Sequence, residues 1–279
     1  MSTLRSILLH LDASPRSAVR LLLARELAAQ HGASVTALYA NPPSLFDLPF
    51  AVTDGAAEVL PLLRQIDTDR RNDARVLFDR AVSTATLPMQ WRDLGAAPLI
   101  PGVAQHALCA DLLVLGQHDG NDAASVGIAP DFIPSVLMAS GRAALVIPYV
   151  DVCATLGREP LIAWKATREA ARAVTAAIPL LQRARRIHLV AEAEGEAGAG
   201  GAHELEAYLH LHGVQALLQR HAAVRVDTPG DDLLSLAADA GADLLVMGCY
   251  GHSRARELVL GGASRTVLKS MTLPVLMAH

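Results

Sequence analysis

Four glycines near the C-terminus have a spacing that suits the binding of a phosphate group. They are Gly248, Gly251, Gly261 and Gly262, with two residues between the first pair and nine between Gly251 and Gly261. Glycine lets the backbone turn and brings amide N–H groups close to an anion without an intervening side chain. A helix predicted over about 263–270 follows, and its N-terminal amides and dipole favour a negative charge. The pattern therefore predicts a phosphate-binding loop that leads into a helix.

Side chains near these glycines could serve the same site. Ser264 offers a hydroxyl donor, and Arg254, Arg256 and Arg265 supply positive charge. The spacing differs from GxGxxG and from GxxxxGK[ST], which excludes a dinucleotide-binding turn and a Walker P-loop. A simpler interpretation is that the glycines only form tight turns between a strand and a helix. A Gly-x-x-Gly pair alone would favour that interpretation.

The segments that would position this loop occur twice in the chain. Residues 8–19 have the same order of strand, turn, Ser or Thr cap and helix as residues 161–172. The sequence of 110–116, ADLLVLG, is nearly repeated as ADLLVMG at 242–248. A repeat of this length indicates two similar domains in tandem.

The predicted domains, 1–152 and 157–279, have the size of typical single domains. Apolar runs that alternate with helical segments predict a doubly wound α/β fold, with parallel strands buried on both faces. Ligands of such sheets bind at the carboxyl ends of the strands. The predicted strands of the first domain lie near Ser6 to Leu11, Ser34 to Ala40, Leu87 to Trp91, Asp111 to Gly116 and Ala144 to Pro148.

Local signals also predict where helices begin and end. Ser14 followed by Pro15 is typical of a helix start, and Gly32 is typical of a helix end. The glycine-rich stretch 192–203 predicts a flexible surface loop.

The glycine spacing resembles the nucleotide-binding signature of the universal stress protein family. The similarity extends to 242–248 and to the closing segment 273–277, and both copies resemble this domain, so the resemblance covers essentially the whole chain. It implies two tandem domains, each a five-stranded parallel sheet covered by helices, of the adenine nucleotide alpha hydrolase-like type. It also implies pairing of the two domains through their last strands, and ATP or AMP binding in many members, but no defined reaction.

The resemblance places a nucleotide-binding site in the second domain, where two residues depart from the family pattern. Gly262 stands where the family has Ser or Thr. Lys165 stands where it has an acidic residue for the adenosine end, and an ammonium group cannot accept a hydrogen bond. The residue expected to meet the base through its backbone is Val190. The predicted nucleotide-binding residues are Lys165, Val190, Met247, Gly248, Gly251, Gly261, Gly262, Ala263 and Ser264.

The first domain keeps the acidic residue, as Asp12, but loses the phosphate loop. Pro130 and Asp131 correspond to Gly261 and Gly262. Proline removes an amide donor, and a carboxylate repels phosphate. The sequence therefore predicts that the first domain binds no nucleotide triphosphate.

Composition excludes several other classes of protein. The chain has 279 residues and is 52% hydrophobic. Its net charge of −4 argues against general electrostatic binding of nucleic acid. Its three cysteines form no CxxC motif, and no catalytic or metal-ligating residue is assigned. No apolar run approaches the length of a membrane span, so a cytoplasmic location is expected. Whether a metal accompanies a nucleotide is left open.

The predicted function is that of a nucleotide-binding universal stress protein that acts in a stress response. Its partners would be an adenine nucleotide or another phosphorylated small ligand, with pairing of the two domains inside the chain and a homodimer left open. It is predicted not to be an enzyme, although slow ATP hydrolysis is not excluded. The alternative is an interaction protein that has kept the fold and lost the ligand.

Overall fold

The computed structural model describes residues 4–44, 56–122, 127–150, 155–191, 195–223, 228–249 and 262–279. The chain forms two compact units. The first contains residues 4–140, and the second contains the described residues from 141 to 279. The predicted domain bounds at 152 and 157 stay predictions.

The first unit has four parallel strands in the order β3-β2-β1-β4, flanked by helices. Because the chain moves outward from β1 to β3 and then returns to the other side of β1, the direction of winding reverses between β1 and β4. The strands are β1 (Ser6–Leu11), β2 (Ser34–Tyr39), β3 (Met89–Asp93) and β4 (Leu112–Gly116). The helices are α1 (Ser17–His31), α2 (Ala56–Ser83), α3 (Leu99–Ala107) and α4 (Phe132–Ser140).

The second unit has the strand order β5-β10-β9-β6-β7-β8. All its strands are parallel except β5, the last strand of the first repeat, which pairs antiparallel with β10. The strands are β5 (Ala144–Ile147), β6 (Pro160–Trp164), β7 (Arg186–Ala191), β8 (Leu217–His221), β9 (Leu244–Gly248) and β10 (Val275–Ala278). The helices are α5 (Arg168–Leu181), α6 (Gly195–Leu211), α7 (Pro229–Asp239) and α8 (Ala263–Ser270). The predicted α/β class, with mostly parallel strands flanked by helices, is confirmed.

The repeated ADLLV sequence has a structural role in both units. The Asp111 carboxylate accepts hydrogen bonds from the backbone N–H groups of Arg5 and Ser6, at 2.8 and 2.9 Å. Asp243 does the same for Arg158 and Glu159, at 2.9 and 3.0 Å. Each aspartate therefore fixes the start of the central strand beside it, and the leucines and valines that follow fill the core.

Three of the local predictions have clear outcomes. Gly32 ends α1 in the left-handed conformation, with φ 66°, as predicted. The helix start predicted at Ser14 is wrong, because α1 begins at Ser17 and Ser14 contributes only a backbone carbonyl to Ser17 N–H, at 3.1 Å. The surface loop predicted over 192–203 is also wrong from Gly195 onward, where α6 begins. Alanine and glutamate, which favour helix, alternate with the glycines in this stretch.

Candidate functional site

Four of the predicted residues lie at the carboxyl ends of three neighbouring strands, β6, β7 and β9. The direction of winding of the second unit reverses between β6 and β9. Ala163 is in register with both Val190 and Met247, so these three residues lie side by side across the sheet. Val190 and Met247 are 2% and 5% exposed, so their side chains are buried at these strand ends. Lys165 follows β6 directly and is half-buried.

Gly248 ends β9 where the N-terminus of α5 crosses it. A Cβ atom on Gly248 would lie 2.6 Å from the backbone nitrogen of Ala170 and 2.9 Å from the carbonyl carbon of Glu169. Such distances are too short for any side chain, so this glycine is required for packing. The predicted residues Lys165, Val190, Met247 and Gly248 are called the second strand-end cluster below.

The other described members of the predicted site lie at the start of α8. Gly262 precedes the helix with φ −55° and provides no side-chain cap, and the first turn contains no acidic residue. Ala263 is half-buried and Ser264 is 4% exposed. Gly251 and Gly261 lie outside the described residues. The N-terminus of α8 therefore keeps its backbone amides without a side-chain cap, which is the arrangement that favours an anion.

Close packing against α7 positions α8. A Cβ atom on Gly230, in the first turn of α7, would lie 2.5 Å from Cβ of Thr266 and 3.1 Å from the carbonyl oxygen of Ala263. Only glycine at this position lets the two helix starts approach so closely.

One acidic residue of this region was missed by sequence reasoning. Glu169 lies in the first turn of α5, and its side chain is 4% exposed and bound by Nε of Arg168 at 2.5 Å. Burial alone would raise the pKa of Glu169, but the hydrogen bond and charge of Arg168 lower it below the usual value. The signal in the sequence was an acidic residue next to the Thr167 helix cap, where the helix dipole favours it.

The corresponding end of the first unit contains a buried polar network around Asp12. The Asp12 carboxylate accepts hydrogen bonds from Ser14 N–H and the Ser17 hydroxyl, both at 2.9 Å, and forms an ion pair with Nη2 of Arg20 at 2.6 Å. Nη2 of Arg20 also donates to Ser17 at 2.8 Å. Asp12, Ser14, Ser17, Arg20 and Gly116 are called the first strand-end cluster below.

The charge state of Asp12 follows from this network. Burial alone would raise the pKa of the carboxyl, but the charges of Arg20 and His10 and the hydrogen bonds of Ser14 hold it well below its usual range. His10, on β1, has its pKa lowered, chiefly by burial, and its Nε2 lies 2.8 Å from the carbonyl oxygen of Ala40. Asp12 is therefore ionised at neutral pH, but Arg20 already neutralises it.

The segment that corresponds to the α8 start also differs in the first unit. Helix α4 begins at Phe132, directly after Pro130 and Asp131. Asp131 is exposed, and its Oδ2 accepts a hydrogen bond from Ser135 at 3.4 Å. A carboxylate thus precedes α4 at the place where Gly262 precedes α8.

Comparison with known proteins identifies the second unit. Residues 160–279 match the family model described as the Universal stress protein family. This part of the chain is a universal stress protein domain. The match confirms the predicted family and covers β6 to β10, including the second strand-end cluster.

A curated relative and two solved structures agree with this family. Universal stress protein MJ0577 from Methanocaldococcus jannaschii is 33% identical over 51 residues, which span 18% of this chain and 32% of the relative. A universal stress protein from Archaeoglobus fulgidus DSM 4304 covers 98% of this chain, is itself covered to 95%, and has a TM-score of 0.70 at 14% identity. A structure named as a putative universal stress protein from Pseudomonas aeruginosa UCBPP-PA14 has a TM-score of 0.55 at 13% identity, with coverages of 98% and 92%. At such low sequence identities the two structures show a similar fold and nothing further.

Membrane spans and metal clusters are both absent from the described residues. In that part of the chain, no helix is long and apolar enough to cross a membrane. The same residues contain no group of three or more His, Cys, Asp or Glu side chains that could hold a metal ion.

Proposed function

We propose that the universal stress protein domain at 160–279 binds an adenine nucleotide, ATP or AMP, or another phosphorylated small ligand. The phosphates would lie at the N-terminus of α8, and the base would lie over the ends of β6, β7 and β9. The observation that carries the proposal is the α8 N-terminus, which has neither a side-chain cap nor an acidic residue in its first turn.

The charges of the two units support this assignment. The segment from Gly248 to Pro274 has four basic residues and one acidic residue, whereas the segment from Gly116 to Ala143 has one basic and three acidic residues. An anionic ligand is therefore attracted to the second unit and repelled from the first.

The role of Lys165 follows from its charge. An ammonium group offers three donors and no acceptor, so it suits phosphate or another anion better than the hydroxyls and amine of adenosine. Glu169 supplies a buried carboxylate at the start of α5, beside Gly248. We assign to this carboxylate the acceptor function that Lys165 cannot provide.

The test is a substitution that gives the second unit the residue of the first. Gly262→Asp places a carboxylate where Asp131 stands before α4. The backbone of Gly262, with φ −55°, accepts any residue, and aspartate at this position caps a helix well. Helix α8 should therefore be as stable as in the wild type, while the affinity for ATP, measured by equilibrium titration, should fall about tenfold or more.

Ser270→Asp is the matched control, because it adds the same charge at the other end of α8. It should leave the affinity for ATP unchanged to within about twofold, since dipole and charge effects fall off beyond the first turn. Equal losses in the two variants would contradict the placement of the phosphates. No binding of ATP, ADP or AMP by the wild type would contradict the function itself and favour the interaction protein without a ligand.

The proposed role is binding without catalysis, in a cytoplasmic stress response. It includes pairing of the two domains within the chain and no binding of nucleic acid. ATP turnover that a single substitution near Gly251 abolishes would contradict the absence of catalysis.

A further inference from the structure

The guanidinium group of Arg20 lies buried at the strand ends of the first unit, although arginine is rarely buried in proteins. Arg20 is 3% exposed and Asp12 is 5% exposed. Nη2 donates to both Asp12 and Ser17, while the other side of the guanidinium lies against Gly116. A Cβ atom on Gly116 would clash with Nη1 and lie 2.9 Å from Cζ of Arg20. Only glycine at position 116 therefore leaves room for the guanidinium group in this place.

The matching place in the second unit holds no such group. In the repeat alignment, Ala170 and Ala173 correspond to Ser17 and Arg20, and Lys165 corresponds to Asp12. The backbone of α5 closes directly on Gly248 there, whereas a side chain stands between α1 and Gly116 in the first unit. The carboxylate, the hydroxyl and the guanidinium thus occur together in only one of the two copies.

The first strand-end cluster also has polar groups that its own arginine does not satisfy. Nε of Arg20 and the hydroxyl of Ser14 are buried and have no hydrogen-bond partner among the described residues. The same is true of Nδ1 of His118, two residues after β4. Buried polar atoms are normally paired, so this end of the sheet has the polarity of a binding site more than of a core.

We propose that the first unit contains a guanidinium-binding site, formed by Asp12, Ser17 and the backbone of Gly116, that its own Arg20 fills. The filled site closes this end of the sheet to external ligands. This site lies in the first unit, so the inference does not depend on nucleotide binding by the universal stress protein domain of the second unit.

The test removes the internal ligand and supplies it from solution. Arg20→Ala deletes the atoms of an ethylguanidinium group, so N-ethylguanidinium is the matched probe. Its binding to the vacated site should raise the melting temperature of Arg20→Ala with the logarithm of the probe concentration above the dissociation constant, by about 3 °C or more at about tenfold that concentration. The wild type, whose site is filled, should show no such rise. Ethylammonium should raise the melting temperature less, because it cannot donate to Asp12 and Ser17 in the plane of a guanidinium.

Two controls separate a site from general effects of the probe. Arg64→Ala removes an exposed arginine from α2 and should respond as the wild type does. Arg20→Ala combined with Asp12→Asn lacks the carboxylate and should lose the rise. The proposal is overturned if N-ethylguanidinium does not raise the melting temperature of Arg20→Ala, or if the double variant shows an equal rise.

A second measurement uses the wild type, in case Arg20→Ala does not fold. A guanidinium held by two acceptors rotates slowly, so one arginine should show resolved, slowly exchanging Nη protons in NMR spectra. Asp12→Asn should remove these signals. Their absence from the wild type would overturn the proposal as well.

Discussion

The two strand-end clusters occupy equivalent places in a repeated fold, and yet they have opposite chemistry. The first contains an internal ion pair in which Arg20 neutralises Asp12, and in the same unit Asp131 directly precedes α4. The second has Lys165 at the strand end and the backbone contact at Gly248, and in the same unit Gly262 precedes α8 without a side-chain cap. Equivalent strand ends of a duplicated α/β fold can thus carry different groups, a buried ion pair in one copy and a lysine with a tight backbone contact in the other.

Substitutions at the two matching strand-end residues should separate the clusters most strongly. Asp12→Asn leaves Arg20 buried without its counterion, so we expect a loss of about 3–5 kcal/mol in the free energy of unfolding. Lys165→Gln changes a half-buried side chain, so we expect less than about 1 kcal/mol. Urea denaturation at pH 7 measures both. Equal losses would mean that Asp12 and Arg20 do not form the tight pair described here.

The two strand-end glycines should differ in what their substitution displaces. Gly248→Ala forces a methyl group against the backbone of α5, and we expect a loss of about 1–3 kcal/mol. Gly116→Ala meets the end of a side chain, so its cost should depend on Arg20. A double-mutant cycle with Arg20→Ala should show coupling for Gly116 and none for Gly248. Additive changes in the free energy of unfolding for Gly116→Ala and Arg20→Ala would show that the guanidinium group does not lie against Gly116.

The two aspartates before β4 and β9 should differ less, since both bind two backbone N–H groups. Asp243 is buried and Asp111 is exposed. Asp243→Asn should therefore cost about 1–3 kcal/mol, because it leaves a buried donor unpaired, and Asp111→Asn should cost about 1 kcal/mol. Thermal unfolding of the two variants provides the measurement. A larger effect at Asp111 would contradict the burial argument.

The smallest predicted difference concerns pH. Burial lowers the pKa of His10, with an opposing effect of Asp12 and a supporting one of Arg20, so the unfolded chain binds this proton more readily than the folded one. Stability should therefore fall as the pH drops below about 6.5, by up to about 1.4 kcal/mol per pH unit. Ala163 replaces His10 in the second repeat, where the buried histidine is His188, on β7, whose pKa is also lowered by burial and by His221.

His10→Gln should flatten the dependence of the urea midpoint on pH between 7 and 5.5. An unchanged slope in this variant would show that His10 is not the group that titrates.

The sequence predicted those parts of the fold that follow from short-range patterns. The apolar runs of β1 and β4, the αL glycine at Gly32 and the helix over 263–270 each depend on a local signal, and the structure has all of them. The start of α1 did not follow from Ser14, because that hydroxyl does not cap the helix. The helix that begins at Gly195 was not predicted. The glycines of this stretch indicate a loop more strongly than the alanines and glutamates between them indicate a helix.

The chemistry of the two clusters depends on contacts between distant residues, which the motifs do not contain. Nothing in the sequence around Arg20 distinguishes it from the other arginines of the chain. Its role appears only because α1 brings it over Gly116 and next to Asp12. Glu169 likewise becomes a candidate only because α5 crosses the end of β9.

The stoichiometry of ATP binding to the full chain is the decisive measurement, with Gly262→Asp and Asp12→Asn titrated beside the wild type. We expect one equivalent of ATP per chain, bound about tenfold or more weakly by Gly262→Asp and equally well by Asp12→Asn, at a temperature at which both variants are folded. Two equivalents per chain would contradict a single nucleotide site at the start of α8, as would one equivalent that survives Gly262→Asp and disappears with Asp12→Asn.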